Sequence, residues 1–239
     1  MILYCMDNSY DQIIPKVGLG TYNMDSKESE FMTYEAIKYG YRHIDTAAVY
    51  KNEDGVSRAL ERIFNETQLK REDIFITTKL WPGGLIKLDR VRDYKDTLKS
   101  FEKSLMRLNL EYIDLYLIHS PHGKSKRIEQ WKSLMNLKES GKVKYIGVSN
   151  WGINHINELK ENNLPLPDAN QIEIHPWSQK PELVKYLREN NIDIIAYSSL
   201  VPLSSWRHKD GENSKKTEQM YKLGESENSP FKLLSLIHI

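Results

Sequence analysis

The chain has 239 residues, close to the roughly 250 of a single (β/α)8 barrel, so one domain over 1–239 with a sizeable core is expected. Its 34 basic and 33 acidic residues leave a net charge of +1 with no basic block, which argues against a nucleic acid or a membrane surface as partner. No run reaches the ~18 apolar residues of a membrane span, and the start, Met1 to Cys5, is too short for a signal segment, so the chain reads as cytoplasmic; its one cysteine, Cys5, lies in no metal-binding or redox context.

In chain order, Ile2 to Ile14 carries two short apolar stretches split by Asp7, Asn8 and Ser9, turn formers that predict a small hairpin, read as a plug on a barrel floor. Val17 to Tyr22 (VGLGTY) predicts a first barrel strand, with Gly18 and Gly20 removing side chains where something flat or phosphorylated could approach the backbone. Asp25 and Glu28 resemble a capping box, and Met32, Ala36 and Tyr39 continue at helical spacing to Gly40. A strand through His43 and Ile44 ends on Asp45, with Tyr50 five residues later. Val56, Leu60 and Ile63 mark a second helix, and Ile74 to Thr78 a strand that ends on Lys79. The third helix carries Tyr94, Leu98, Phe101, Leu105 and Leu108, and leads into Ile113 to Ile118, which ends on His119.

The alternation continues through a helix around Trp131 to Lys138, a strand from Val143 to Val148 and a helix from Ile153 to Leu159. A strand from Asn170 to Ile174, a helix opened by Pro181 and a seventh strand, Asp193 to Tyr197, complete the series. Strict βα alternation predicts a parallel sheet closed as a barrel. From Trp206 to Pro230 the composition turns to Lys, Glu, Ser, Asn and Gly, which predicts a mobile loop.

Three strands thus end on titratable side chains, and in a barrel all such ends share the face where active sites are built. Singly, Asp45, Tyr50, Lys79 and His119 are ordinary loop or packing residues. Their convergence points to proton chemistry.

At this point the motifs resemble the aldo-keto reductase family over nearly the whole chain. VGLGTY, HIDTAAVYKNE (43–53), TTKLW (77–81), DLYLIHSP (114–121), GKVKYIGVSNW (141–151), NQIEIHP (170–176) and AYSSL (196–200) stand in the family's order at barrel spacings. The resemblance implies a (β/α)8 barrel that reduces aldehydes or ketones to alcohols with hydride from NADPH, NADH not excluded, acting on a small carbonyl substrate as a monomer. It places a catalytic tetrad on Asp45, Tyr50, Lys79 and His119. Tyr50 is then the general acid, its pKa lowered by the Lys79 ammonium, which Asp45 holds; His119 orients the substrate oxygen. Ser149, Asn150 and Gln171 match positions that hold the nicotinamide carboxamide, and Tyr197 the aromatic stacked on the ring. Gly20, Thr21, Tyr22 and Asp45 line its approach, and Ser198 and Leu200 belong to the same cofactor set. Tyr22, Trp81 and Ser120 match the substrate pocket.

The chain departs from the family pattern at several places. Lys51 stands where the family often has Gly, Ser120 where many members carry a large aromatic, and Val201 and Pro202 where a Gly and a Ser assist the pyrophosphate. The family's eighth strand, its cluster for the adenosine phosphate and its C-terminal substrate loop are expected to be missing, which leaves the first and seventh barrel strands without a neighbour. The tail Leu234 to Ile239 (LSLIHI) matches one reading frame of a transposase adaptor used in sequencing libraries, so the natural sequence is expected to end near Leu233. Two alternatives stand beside the reductase: a Schiff-base lyase using Lys79, and an inactive fragment or non-enzymatic binding subunit.

Overall fold

A computed structural model describes residues 2–5, 14–86, 89–175 and 178–199. Within them, eight strands close into one sheet: β1 (Ile2–Cys5), β2 (Val17–Gly20), β3 (His43–Asp45), β4 (Phe75–Leu80), β5 (Ile113–Ile118), β6 (Val143–Ser149), β7 (Ala169–Glu173) and β8 (Asp193–Tyr197). From β2 to β8 each strand pairs in parallel with the next. Each step is made through one helix: α1 (Ser26–Lys38), α2 (Glu53–Glu66), α3 (Tyr94–Leu108), α4 (Arg127–Glu139), α5 (Ile153–Glu161) and α6 (Pro181–Glu189). This is the βα architecture the alternation predicts, and it gathers the strand ends on one face.

Local chemistry explains the element boundaries. Asp25 accepts from the backbone N–H groups of Lys27 and Glu28 while the Glu28 carboxylate accepts from the Asp25 N–H, so the predicted capping box starts α1. Asp93 caps α3 by accepting from the Asp96 N–H, and Asn109 ends it in the left-handed conformation. Pro181 sits in the first turn of α6, where its missing N–H costs nothing.

Two apolar regions hold the sheet. Inside the barrel, Ile14, Phe75, Leu115, Leu117, Ala169 and Ile195 pack together. Between sheet and helices lies the larger core, with Ile44, Ile76, Tyr116, Ile118 and Val148 from the strands against Val56, Leu60, Phe101, Trp131 and Leu187 from the helices. Leu115 and Leu117 face inward and Tyr116 and Ile118 outward, the period of two expected of a strand buried on both faces.

Three expectations change. Ile2–Cys5 is not a plug on the barrel floor. It enters the wall as β1, antiparallel to β2 (Ile2 opposite Leu19) and to β8 (Tyr4 opposite Ala196). Consequently β2 and β8 are not left without a neighbour: an N-terminal strand satisfies the backbone groups on both edges. Finally, Lys79 lies inside β4 rather than after it, because Leu80 still pairs with Ile118. The expected 206–230 loop and the 234–239 tail lie outside the described residues, as do Val201 and Pro202. Among the described residues no helix is long and apolar enough to cross a membrane.

Candidate active site

Asp45 ends β3, Tyr50 closes a 3-10 turn (Ala48–Tyr50) just beyond it, Lys79 is the penultimate residue of β4, and His119 follows β5. The four side chains meet. Lys79 Nζ forms an ion pair with Asp45 Oδ1, both side chains fully buried, donates to the Thr46 carbonyl at 2.9 Å and lies 3.5 Å from Tyr50 Oη. A buried ion pair needs its remaining polar atoms satisfied, and here Gln171 Nε2 reaches across the barrel from β7 to donate to Asp45 Oδ2 at 2.8 Å. Tyr50 Oη is 3.3 Å from His119 Nε2.

The electrostatics differ from expectation in one respect. Burial first, then the negative charge of Asp45 and the neighbouring Tyr22, push the Tyr50 phenol above its ordinary value rather than below it. The Lys79 charge does not prevail because Asp45 cancels it at close range. Burial also draws Lys79 below the ordinary ammonium range, against the opposing pull of Asp45. His119 is lowered to about 3 by burial and by the Lys79 charge, so its imidazole is neutral near pH 7. Its Nδ1 is buried with no partner among the described residues. An orphaned lone pair costs less than an orphaned N–H, so the ring proton belongs on Nε2. Tyr50 Oη then accepts from His119 Nε2 and Lys79 Nζ, and its own proton is free to point into the adjoining cavity.

That cavity has a volume of about 400 Å³. One part of its wall is Ser149, Asn150, Gln171, Tyr197 and Ser198; another is Tyr22, Val49, Trp81, Ser120 and His122, with Tyr50 and His119 between. The first wall is tightly cross-linked. Tyr197 Oη donates to Asn150 Oδ1 at 2.7 Å, Asn150 Nδ2 donates to the His119 carbonyl at 3.2 Å and to Ser149 Oγ at 3.1 Å, and Ser149 Oγ donates to the Gln171 carbonyl at 2.9 Å. In the second wall, Tyr22 packs edge-on to Tyr50 with centroids 5.2 Å apart, and the Trp81 N–H is fixed by Asp89 at 2.8 Å.

Not every anticipated residue reaches the cavity. Gly20 is locked into the sheet opposite Asp45, and Thr21 is buried with its hydroxyl 3.3 Å from the Asp45 carbonyl, so both shape the wall from behind. Leu200 lies outside the described residues. Gly18 likewise serves packing: a Cβ there would stand 2.8 Å from His43 Nδ1, so the missing side chain admits the His43 ring. Lys51, in the position where the family often has Gly, holds the left-handed conformation (φ 59°), which favours glycine.

Sequence reasoning missed three residues. Asn52 is fully buried and ties two loops together. Its Nδ2 donates to the carbonyls of Thr21 and Met24, both at 2.9 Å, and its Oδ1 accepts from Thr46 Oγ1 at 2.9 Å. Val49 and His122 line the cavity. A polar amide between two charged-looking loop residues gave no signal of burial, and His122 sits one residue past a proline, in a stretch without periodicity.

A family model described as Aldo/keto reductase family matches residues 16–233. The glyoxal reductase of Bacillus subtilis (strain 168) is 41% identical over 189 residues, which cover 79% of this chain and 64% of that protein. Methylglyoxal reductase DkgA of Yersinia pestis is 38% identical over 193 residues, 80% of this chain and 65% of that protein. This chain therefore spans just under two thirds of the length of these two relatives. The crystal structure of a Bombyx mori aldo-keto reductase in complex with NADP superposes with a TM-score of 0.81 at 30% identity, over 96% of this chain and 78% of that one. With the family model matching most of its length, the chain belongs to the aldo/keto reductase family.

Proposed function

We propose that the protein to which this chain belongs reduces aldehydes or ketones to alcohols, with NADPH as hydride donor and Tyr50 as general acid. The observation that carries the reading is the placement of Tyr50 Oη. It lies within reach of His119 Nε2 and Lys79 Nζ, which occupy its lone pairs, and its proton is left for the cavity. A buried phenol held above its ordinary pKa stays protonated near neutral pH, the state a proton donor needs.

The first wall suits a nicotinamide. Asn150 and Gln171 bring amide groups beside the Ser149 hydroxyl, a donor and acceptor set that matches a carboxamide, and Tyr197 offers a ring face whose angle is set by its bond to Asn150. Such a cofactor supplies the hydride. The chain's own residues do the rest: His119 Nε2–H, donating to Tyr50 Oη, aims the Tyr50 Oη–H at the substrate oxygen, and as negative charge develops on that oxygen Tyr50 gives up its proton. The Lys79 ammonium, 3.5 Å away, then faces the new phenolate. Lys79 donates to Asp45, Thr46 and Tyr50, so no lone pair is presented for imine formation, which counts against a Schiff-base lyase. The relatives named as glyoxal and methylglyoxal reductases, and the neighbour solved with NADP, support carbonyl reduction and this cofactor.

The test is Tyr50→Phe. NADPH oxidation with a broad aldehyde substrate is expected to fall by about 10²- to 10⁴-fold, while NADPH binding, read by fluorescence, is kept. Undiminished turnover in the variant removes Tyr50 from the role.

A further inference from the structure

We propose that Ser120 and His122 form a polar subsite in the cavity wall, one that binds an oxygen acceptor, a carboxylate above all, carried by the aldehyde substrate away from its reacting carbonyl. The proposal rests on the reductase reading of the same cavity.

Both residues line the cavity, and Ser120 Oγ lies 2.7 Å from His122 Nδ1. Ser120 is only 5% exposed, and His122 is its hydroxyl's one hydrogen-bond partner among the described residues. A buried hydroxyl with one partner does best to donate, since an orphaned proton costs more than an orphaned lone pair. Nδ1 therefore accepts and the ring proton is held on Nε2. Among the described residues Nε2 has no partner, so an N–H donor is left for a ligand.

Position fixes which part of a substrate this donor meets. Trp81, anchored through its N–H to Asp89, packs on both imidazoles, with centroids 6.0 Å from His119 and 6.3 Å from His122. His119 serves the reacting end beside Tyr50, so His122 meets a group several bonds further along. No aspartate or glutamate lines the cavity among the described residues, so an anionic oxygen meets no like charge there. An aromatic in place of Ser120 would offer His122 no such tautomer control.

The probes are 4-carboxybenzaldehyde and 4-methylbenzaldehyde, which share shape and reacting group but differ in the remote acceptor. In the unaltered protein the ratio of kcat/KM, carboxy over methyl, is expected to exceed one. In His122→Phe that ratio should fall about tenfold, through KM rather than kcat, the worth of one hydrogen bond to a charged group. Ser120→Ala should shift it the same way, and His122→Gln, which keeps an N–H donor, should restore part of it. A general loss of packing would not give that rescue. Calorimetric Kd values for the two aldehydes give the same ratio without turnover, so inactivity speaks against the reductase reading while the subsite is still tested. A ratio unchanged in His122→Phe, by Kd or by KM, overturns the proposal.

Discussion

His43 and His119 show how the barrel treats a titratable side chain it buries. His43 is sealed between strands, with Nε2 2.9 Å from Thr77 Oγ1 and its ring edge-on to Phe75 at 5.1 Å; burial lowers it to about 4 from an ordinary 6.5. His119 falls to about 3. Between these values and 6.5 the unfolded chain binds more protons than the folded one. Stability is therefore complete above about 6.5 and is lost as pH falls toward 4 and then 3. The slope approaches about 1.4 kcal/mol per pH unit for each histidine in that window, so the urea midpoint should drop clearly from pH 7 to pH 5. Imidazole nitrogen shifts read by NMR at pH 5 should show both rings still neutral. A His43 ring charged at that pH contradicts the account. His43 and Ile44 read as a buried strand, but neither shift was legible beforehand, because each depends on groups that distant strands bring to the ring, Phe75 and Thr77 for His43 and Lys79 for His119.

At the scale of the element, the turn that carries Tyr50 is held by a loop-to-loop tie. Asn52 joins the β3–α2 connection to the β2–α1 connection, and Ser26 Oγ donates to Asp54 at 2.6 Å beside it. Asn52→Ala takes its donor from the Met24 carbonyl, leaves the Thr21 carbonyl with the Met24 N–H alone and deprives Thr46 Oγ1 of that acceptor, an expected loss of about 1–3 kcal/mol, or roughly 2–10 °C in Tm. Asn52→Asp should be no better, since a carboxylate cannot donate to two carbonyls. Equal melting of Asn52→Asp and the unaltered protein would show the tie to be idle. The elements themselves were largely readable: the capping box of α1, the Pro181 start of α6 and the helical face of α3 are encoded within a few residues of where they act. The end of β4 was not. A lysine reads as a strand terminator until its charge is known to be neutralised by Asp45 in the interior, which lets the ladder run on through Leu80.

For the whole molecule, closure depends on β1. Seven parallel strands leave two edges, and Ile2–Cys5 covers both at once. Deleting residues 1–5 should expose the β2 and β8 edges, lower Tm and produce concentration-dependent association, read by light scattering, because open edges recruit other strands. An equally stable, monodisperse deletion variant would show that closure comes from elsewhere.

The sequence by itself determined the βα alternation, the helix starts and the four residues that meet at the strand ends, because periodicity, capping and barrel topology need only short-range information and one global rule. The tertiary structure alone decided where the N-terminal strand docks, that Gln171 reaches Asp45 across the barrel and that His122 lies on Trp81. It also decided that burial raises the Tyr50 phenol rather than the Lys79 charge lowering it. These depend on which distant groups share a desolvated space, and the sign of an electrostatic effect is set by that sum, which no local stretch of the chain contains.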